Sequence, residues 1–126
     1  IPINKGVWSE DTTLKFNNKN MASSSFFFDD NVKTIKVPVT CLDNEMDRLN
    51  IKKIDFIKAD VEGAEIEMIK GAKNLLAVNN VNLAIASYHV INGRKTCFDL
   101  EKLLKKFNFR TKTDYKFHLT TYAKKG

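Results

Sequence analysis

Two carboxylates, Asp60 and Glu62, flank a corner next to Gly63 in the stretch IKADVEGAEIEMIKG, residues 57–71. An imidazole, His89, closes the next apolar run, NLAIASYH. A histidine titrating near neutrality beside a carboxylate is suited to taking the proton of a hydroxyl group while another group is transferred to its oxygen. Each residue also has a plainer use. Acidic side chains at a helix start accept hydrogen bonds from its unpaired amides. A glycine supplies an unusual backbone angle or a close strand-to-helix approach, and a lone histidine is often packed and hydrogen-bonded. Cys41 and Cys97 form no CxxC pair, and His89 and His118 add no zinc-like spacing, so the sequence points to no metal site.

The elements that must hold these groups follow from periodicity. Residues 54–59 (IDFIKA) have apolar residues on both faces, the pattern of a parallel strand covered on both sides. From Ala64 to about Val78, Ile66, Ile69, Ala72, Leu75 and Leu76 form one stripe, with Glu65 and Glu67 favouring the helix N-terminus, which predicts a single helix. Residues 82–89 form the next buried strand, followed by a loop, INGRK. Thr96 and Asp99 then resemble a capping box, and Leu100, Leu103, Leu104 and Phe107 carry a second helix to residue 107. Residues 109–113 and 117–123 close as a hairpin. Upstream, residues 1–18 predict a strand at IPI, a break at Gly6 and the alternating TLKF, leading into a hairpin. The run NNKNMASSSFFFDDN predicts a loop with a short aromatic strand. Ile35, Val37 and Val39 alternate, with Pro38 confining that strand to an edge or an end. Thr40 and Asp43 suggest a capped short helix through Leu42, Met46 and Leu49.

The order strand–helix–strand–helix–strand–strand over 54–123 specifies an α/β layer. Sites in such sheets open at the carboxyl ends of the strands. Paired strands lie roughly 5 Å apart, which brings Asp60, Glu62 and His89 to one rim, with the loop Asn92, Gly93 and Arg94 as an acceptor lid.

The chain of 126 residues allows one domain, and 43% hydrophobic residues with 5 Gly and 2 Pro is a globular composition. No apolar run approaches the roughly 20 residues of a membrane span. Two distant thiols read as buried hydrophobes and favour a cytoplasmic setting. The net charge of +6 is scattered over 21 Lys and Arg against 15 Asp and Glu, an ordinary solvated surface and no nucleic-acid footprint. No signal-peptide pattern opens the chain, and Ile1 in place of Met suggests a fragment.

IDFIKADVEGAEIEMIKGA resembles the signature segment of the FkbM family of S-adenosylmethionine-dependent methyltransferases, in which a strand ending in D-x-E-G-A-E runs into a helix. VPVTCLDNEMDRL is similar to the segment before that strand, LAIASYH to the next strand with its terminal His, and MASSSF to the small-and-serine segment upstream. The resemblance implies an O-methyltransferase acting on a hydroxyl of a sugar, glycan or polyketide-like acceptor. It implies S-adenosylmethionine as cofactor near Asp60 and Gly63, and Asp60, Glu62 and His89 as catalytic residues. It also implies a partial Rossmann-like fold, a mostly parallel sheet with a C-terminal antiparallel hairpin that lacks the first two strands and the glycine-rich loop. IPINKGVWSED resembles the third strand, and no G-x-G occurs. Residues 1–126 would then be one N-terminally truncated domain, with a strand and hairpin region at 1–40 and a βαβαββ portion at 41–126, inactive alone. A non-catalytic α/β binding module and a basic nucleic-acid-binding domain stand as the competing readings.

Overall fold

A computed structural model describes residues 1–17, 34–78, 80–115 and 118–126. Most of the segment NNKNMASSSFFFDDN, with its expected aromatic strand, lies outside the described residues. The front of the chain forms a three-stranded sheet of β1 (Gly6–Val7), β2 (Thr12–Asn17) and β3 (Thr34–Thr40), in the order β1-β3-β2. β2 runs antiparallel along β3, with Leu14 opposite Val37. β1 is parallel to the end of β3 and pairs only with Val39 and Thr40. Pro38 therefore sits where β3 is open on its β1 side, as a residue without an N–H requires. No strand forms at IPI: pairing starts at Gly6, where a break was expected, and the exposed residues 1–5 have no sheet partner among the described residues.

Helix α1 (Leu42–Arg48) begins after an extended Cys41 without a side-chain cap. Thr40 and Asp43 do not act as a capping box, because both are engaged across elements. The Thr40 hydroxyl lies 2.8 Å from both Asp11 Oδ1 and Glu45 Oε1. Asp43 accepts from the backbone N–H groups of Asn74 and Leu75, each at 2.9 Å, and so caps a different helix.

That helix is α3 (Lys73–Val78), separated from α2 (Glu65–Lys70) at Gly71 and Ala72. The single helix expected over 64–78 is thus two. A Cβ at Gly71 would lie 2.2 Å from the Trp8 carbonyl oxygen and 2.8 Å from Cys41 Cβ, so the helix layer passes against the front segment through a glycine. The apolar stripe runs through the break, since Ile69, Ala72, Leu75 and Leu76 are all buried.

The second sheet has the order β4-β5-β9-β8, built from β4 (Phe56–Ala59), β5 (Asn82–Ala86), β8 (Phe109–Tyr115) and β9 (Leu119–Lys125). β4 and β5 are parallel, whereas β5–β9 and β8–β9 are antiparallel. The expectation of a mostly parallel sheet is corrected: the described strand pairs are mainly antiparallel, because the C-terminal hairpin supplies half of this sheet. Helix α4 (Thr96–Lys105) lies against α2, β8 and β9. Ile69, Leu76, Leu83, Ile85, Leu100, Leu104, Phe109 and Ala123 form the core on that side. β4 is not covered on both faces, since Phe56 is 58% exposed. Among the described residues no helix is long and apolar enough to cross a membrane.

Where α4 meets the hairpin, a chain of hydroxyls runs through the protein. Ser87 Oγ and Thr121 Oγ1 are 2.8 Å apart, Thr121 and Thr113 are again 2.8 Å apart, and Thr113 donates to Glu101 Oε1 at 2.5 Å.

Candidate functional site at the carboxyl rim of β4 and β5

The parallel register Ala59↔Ile85 brings the exits of β4 and β5 side by side. After β4 the chain makes a tight turn in which the Ala64 N–H donates to the Val61 carbonyl at 3.0 Å. Its central residues have positive φ, 51° at Glu62 and 97° at Gly63. Gly63 adopts this conformation freely, but a side-chain-bearing residue in the left-handed region costs about 1–2 kcal/mol. Glu62 is held there all the same, an outlier of the kind that gathers at functional sites. The following helix has Ala64 as its N-cap and no side-chain cap, so neither Asp60 nor Glu62 spends its carboxylate on the helix amides.

His89 lies three residues beyond β5 and is anchored by its backbone, the carbonyl accepting from Thr96 N–H at 2.8 Å. That contact starts α4 with Lys95 as N-cap, so the expected Thr96 cap is not formed and the Thr96 side chain is buried instead. The three rim residues converge. His89 Nε2 lies 3.4 Å from Glu62 Oε2 and 3.8 Å from Asp60 Oδ1. Asp60 and Glu62 are partly exposed, whereas the His89 side chain is only 11% exposed.

Two further residues complete the cluster. Glu65 is 0% exposed, and its Oε1 stands 2.9 Å from His89 Nδ1 while accepting from Gly63 N–H at 3.1 Å. The Nδ1 contact has ion-pair distance but not hydrogen-bond geometry, and both His89 ring nitrogens and Glu65 Oε2 are buried without a hydrogen-bond partner. Tyr88 donates a long hydrogen bond, 3.4 Å, to Asp60 Oδ1. Its own desolvation and the charges of Asp60 and Glu62 push its phenol above the ordinary value, so it remains a donor. Glu65 has a sequence signal: it lies four residues before Ile69 and seven before Ala72, on the apolar stripe, where a carboxylate is out of place. Tyr88 has none beyond adjacency to His89.

The segment expected to be a loop lid is instead a tight ribbon, β6 (Val90–Ile91) and β7 (Arg94–Lys95), with Val90 opposite Lys95 and Ile91 opposite Arg94. Asn92 and Gly93, at φ 50° and 75°, form its two-residue turn. Asn-Gly is a strong signal for such a hairpin turn. The ribbon borders a cavity of about 470 Å³ lined by Trp8, Gly63, Ile66, Glu67, Ile91, Asn92, Arg94, Thr96 and Asp99. Gly63 joins this cavity to the corner. A hollow of about 390 Å³ on the opposite sheet face, with Phe56, Asn82 and Tyr122, lies at the amino ends of β4 and β5 and away from the rim.

The arrangement offers an acceptor oxygen two accessible carboxylates, an imidazole and a phenol donor at one edge, a set able to orient a hydroxyl and receive its proton. The methyltransferase FkbM domain matches residues 3–111, from before β1 into β8. No significant match is found among curated proteins or solved structures. With the D-x-E-G-A-E corner, the strand before it and the histidine after the next strand all inside the matched span, the chain belongs to the FkbM methyltransferase family.

Proposed function

We propose that this rim is the acceptor side of an S-adenosylmethionine-dependent O-methyltransferase, acting on a hydroxyl of a sugar, glycan or polyketide-like molecule. The observation that carries the reading is the convergence of Asp60, Glu62 and His89 within 4.8 Å of one another at the carboxyl ends of two parallel strands. The residues present suit the reacting end of the cofactor, since partly exposed carboxylates match a sulfonium cation. Asp60 and the Gly63 corner would hold that end. S-adenosylmethionine supplies an already activated methyl group. The protein's own residues orient the acceptor and take up its proton. Tyr88 donates to Asp60 and fixes that carboxylate, and Asp60 or His89 accepts the hydroxyl proton. The cavity beside Gly63 combines Trp8, Ile66 and Ile91 with Asn92, Arg94 and Asp99, a mixed lining suited to a polyhydroxylated molecule.

We infer that the nucleoside and methionine portions are held by residues other than those of the rim, since no G-x-G occurs in the sequence and β4 ends its sheet among the described residues. We therefore propose a partial Rossmann-like methyltransferase fold in which residues 1–126 alone neither bind the cofactor appreciably nor methylate, within a cytoplasmic parent protein. The test is calorimetry of this span with S-adenosylmethionine, alongside methyl-transfer assays of the parent against hydroxylated acceptors. Tight saturable binding by residues 1–126 would refute the division of labour. A parent that binds the cofactor yet methylates no hydroxylated acceptor would refute the acceptor class.

A further inference from the structure

The rim carries more negative charge than its neighbours offset. Asp60, Glu62 and Glu65 surround one imidazole, and among the described residues none of the three pairs with a lysine or arginine. One imidazolium at most balances one of three carboxylates. The second observation concerns unused valence: Nε2 of His89 is buried and faces the two exposed carboxylates without a hydrogen bond, while the fully buried Glu65 leaves Oε2 unpartnered behind the ring. Buried polar atoms without partners are rare in proteins and call for an explanation.

We propose that Asp60, Glu62 and His89 form a three-ligand site for a divalent transition-metal ion, with Glu65 as the residue that positions the histidine. The geometry fits. Metal–ligand bonds of about 2.0–2.2 Å in a tetrahedron set ligand atoms about 3.4 Å apart. His89 Nε2 stands 3.4 Å from Glu62 Oε2 and 3.8 Å from Asp60 Oδ1, and all the donor atoms lie within 4.8 Å. Small rotations of two partly exposed carboxylates close the remainder. Metal-bound histidines commonly donate their second ring N–H to a carboxylate, which fixes the tautomer and ring plane. Glu65 Oε1, 2.9 Å from Nδ1, stands beside that place, and a small turn of the ring would bring it into hydrogen-bond geometry. An Nδ1 proton directed to Glu65 leaves the Nε2 lone pair facing the rim, where a metal ion takes it up and a sulfonium cannot. One nitrogen with two carboxylate oxygens favours zinc, cobalt or manganese over magnesium or calcium, which take oxygen-only sets. Three protein ligands leave a coordination position open toward the rim.

This inference does not rest on the methyl-transfer reading: a metal ion on Asp60 and His89 Nε2 would occupy the atoms which that reading gives to the sulfonium and the hydroxyl proton. The two name alternative occupants of one rim, and the experiment contains neither methyl donor nor acceptor. Zinc is titrated calorimetrically into the purified protein at neutral pH, and cobalt binding is followed by its visible absorption. One ion per chain is expected, with magnesium at least about 100-fold weaker. Glu62→Gln alters an exposed side chain and keeps the fold, and it should weaken zinc binding at least about tenfold. Glu65→Gln should weaken it by roughly 10–100-fold, the usual scale for a group behind a ligand, and change the cobalt spectrum. His118→Ala should change neither. Absence of saturable zinc binding overturns the proposal, as does binding indifferent to Glu62→Gln and Asp60→Asn, or magnesium binding as tight as zinc.

Discussion

Charged groups gather twice in this protein, and the two gatherings are built on opposite terms. At the seam between the front sheet and the helix layer, Asp11 and Glu45 have settled partners. Arg48 pairs with Asp11 and, at 2.6 Å, with Glu45; Lys5 reaches the same Glu45 oxygen at 2.6 Å; and Cys41 N–H donates to Asp11 at 3.1 Å. At the rim, carboxylates crowd a histidine whose nitrogens have no hydrogen bond. The seam spends its charges on holding the front sheet to α1. The rim keeps its charges available, at the expense of local satisfaction, and sites that bind or transform ligands characteristically do so. Substitutions at the rim should therefore change chemistry and spare stability, and substitutions at the seam should do the reverse.

The largest expected effect is at the rim. If the rim transfers methyl groups as proposed, Asp60→Asn and His89→Ala should each lower methyl transfer by roughly 100-fold or more, the scale of a positioned proton acceptor. The thermal midpoint should move little. Wild-type rates in both variants would make the rim as structural as the seam and erase the contrast.

Gly71→Ala is the strongest test from the other side. The added methyl would lie 2.2 Å from a backbone oxygen of Trp8, which cannot swing aside, so the seam must open. A loss of about 1–3 kcal/mol is expected in chemical denaturation, the range for overpacked sites. Unchanged stability would mean that the front sheet is only loosely seated.

Asp43→Ala removes the acceptor for two amides at the start of α3 and should destabilise by about 1 kcal/mol. Denaturant melts would detect this, and methyl transfer should be unaltered.

The subtlest expectation is a pH dependence. Hydrogen bonds from Arg48, Thr40 and Cys41 hold the Asp11 carboxyl well below the usual carboxylate range, and Lys5 and Thr40 lower that of Glu45. A carboxylate with a depressed folded-state pKa stabilises the fold above its unfolded value, about 4, and loses that contribution as pH falls through the folded value. The stability difference between wild type and Arg48→Ala should therefore be full near neutrality and shrink below about pH 4. A difference constant from pH 7 to pH 2 would show that Arg48 acts through packing.

Much of this organisation is legible in the sequence, and the exceptions share a cause. Asn82–Ala86 and Thr96–Lys105 follow from local periodicity, because each buries the face its own residues announce, whereas Phe56–Ala59 is extended as its apolar run indicates but leaves Phe56 exposed. The convergence of Asp60, Glu62 and His89 follows from strand order alone. The division at Gly71 does not, since the apolar stripe is continuous and only the approach of Trp8, more than sixty residues away, makes glycine necessary there. Thr40 and Asp43 look like a local cap and serve distant partners instead, a choice made by tertiary contacts. Asn92-Gly93 is different in kind: the signal for its turn is local and strong, and the surrounding polar residues obscured it.

The hydroxyl chain from Ser87 through Thr121 and Thr113 has a consequence for how the C-terminal hairpin finds its alignment. Side chains alternate faces along a strand, so a slip of one residue would turn Thr121 outward and carry the half-exposed Tyr122 inward. The slip would also strand the fully buried Ser87 hydroxyl, at a penalty of about 1–3 kcal/mol for one unsatisfied group, and leave Thr113 without its neighbour. A purely apolar strand would tolerate such an error more readily, because greasy side chains accept many partners. The two threonines thus act as a checksum on assembly: β9 is accepted into the sheet only when it is paired correctly with both neighbours.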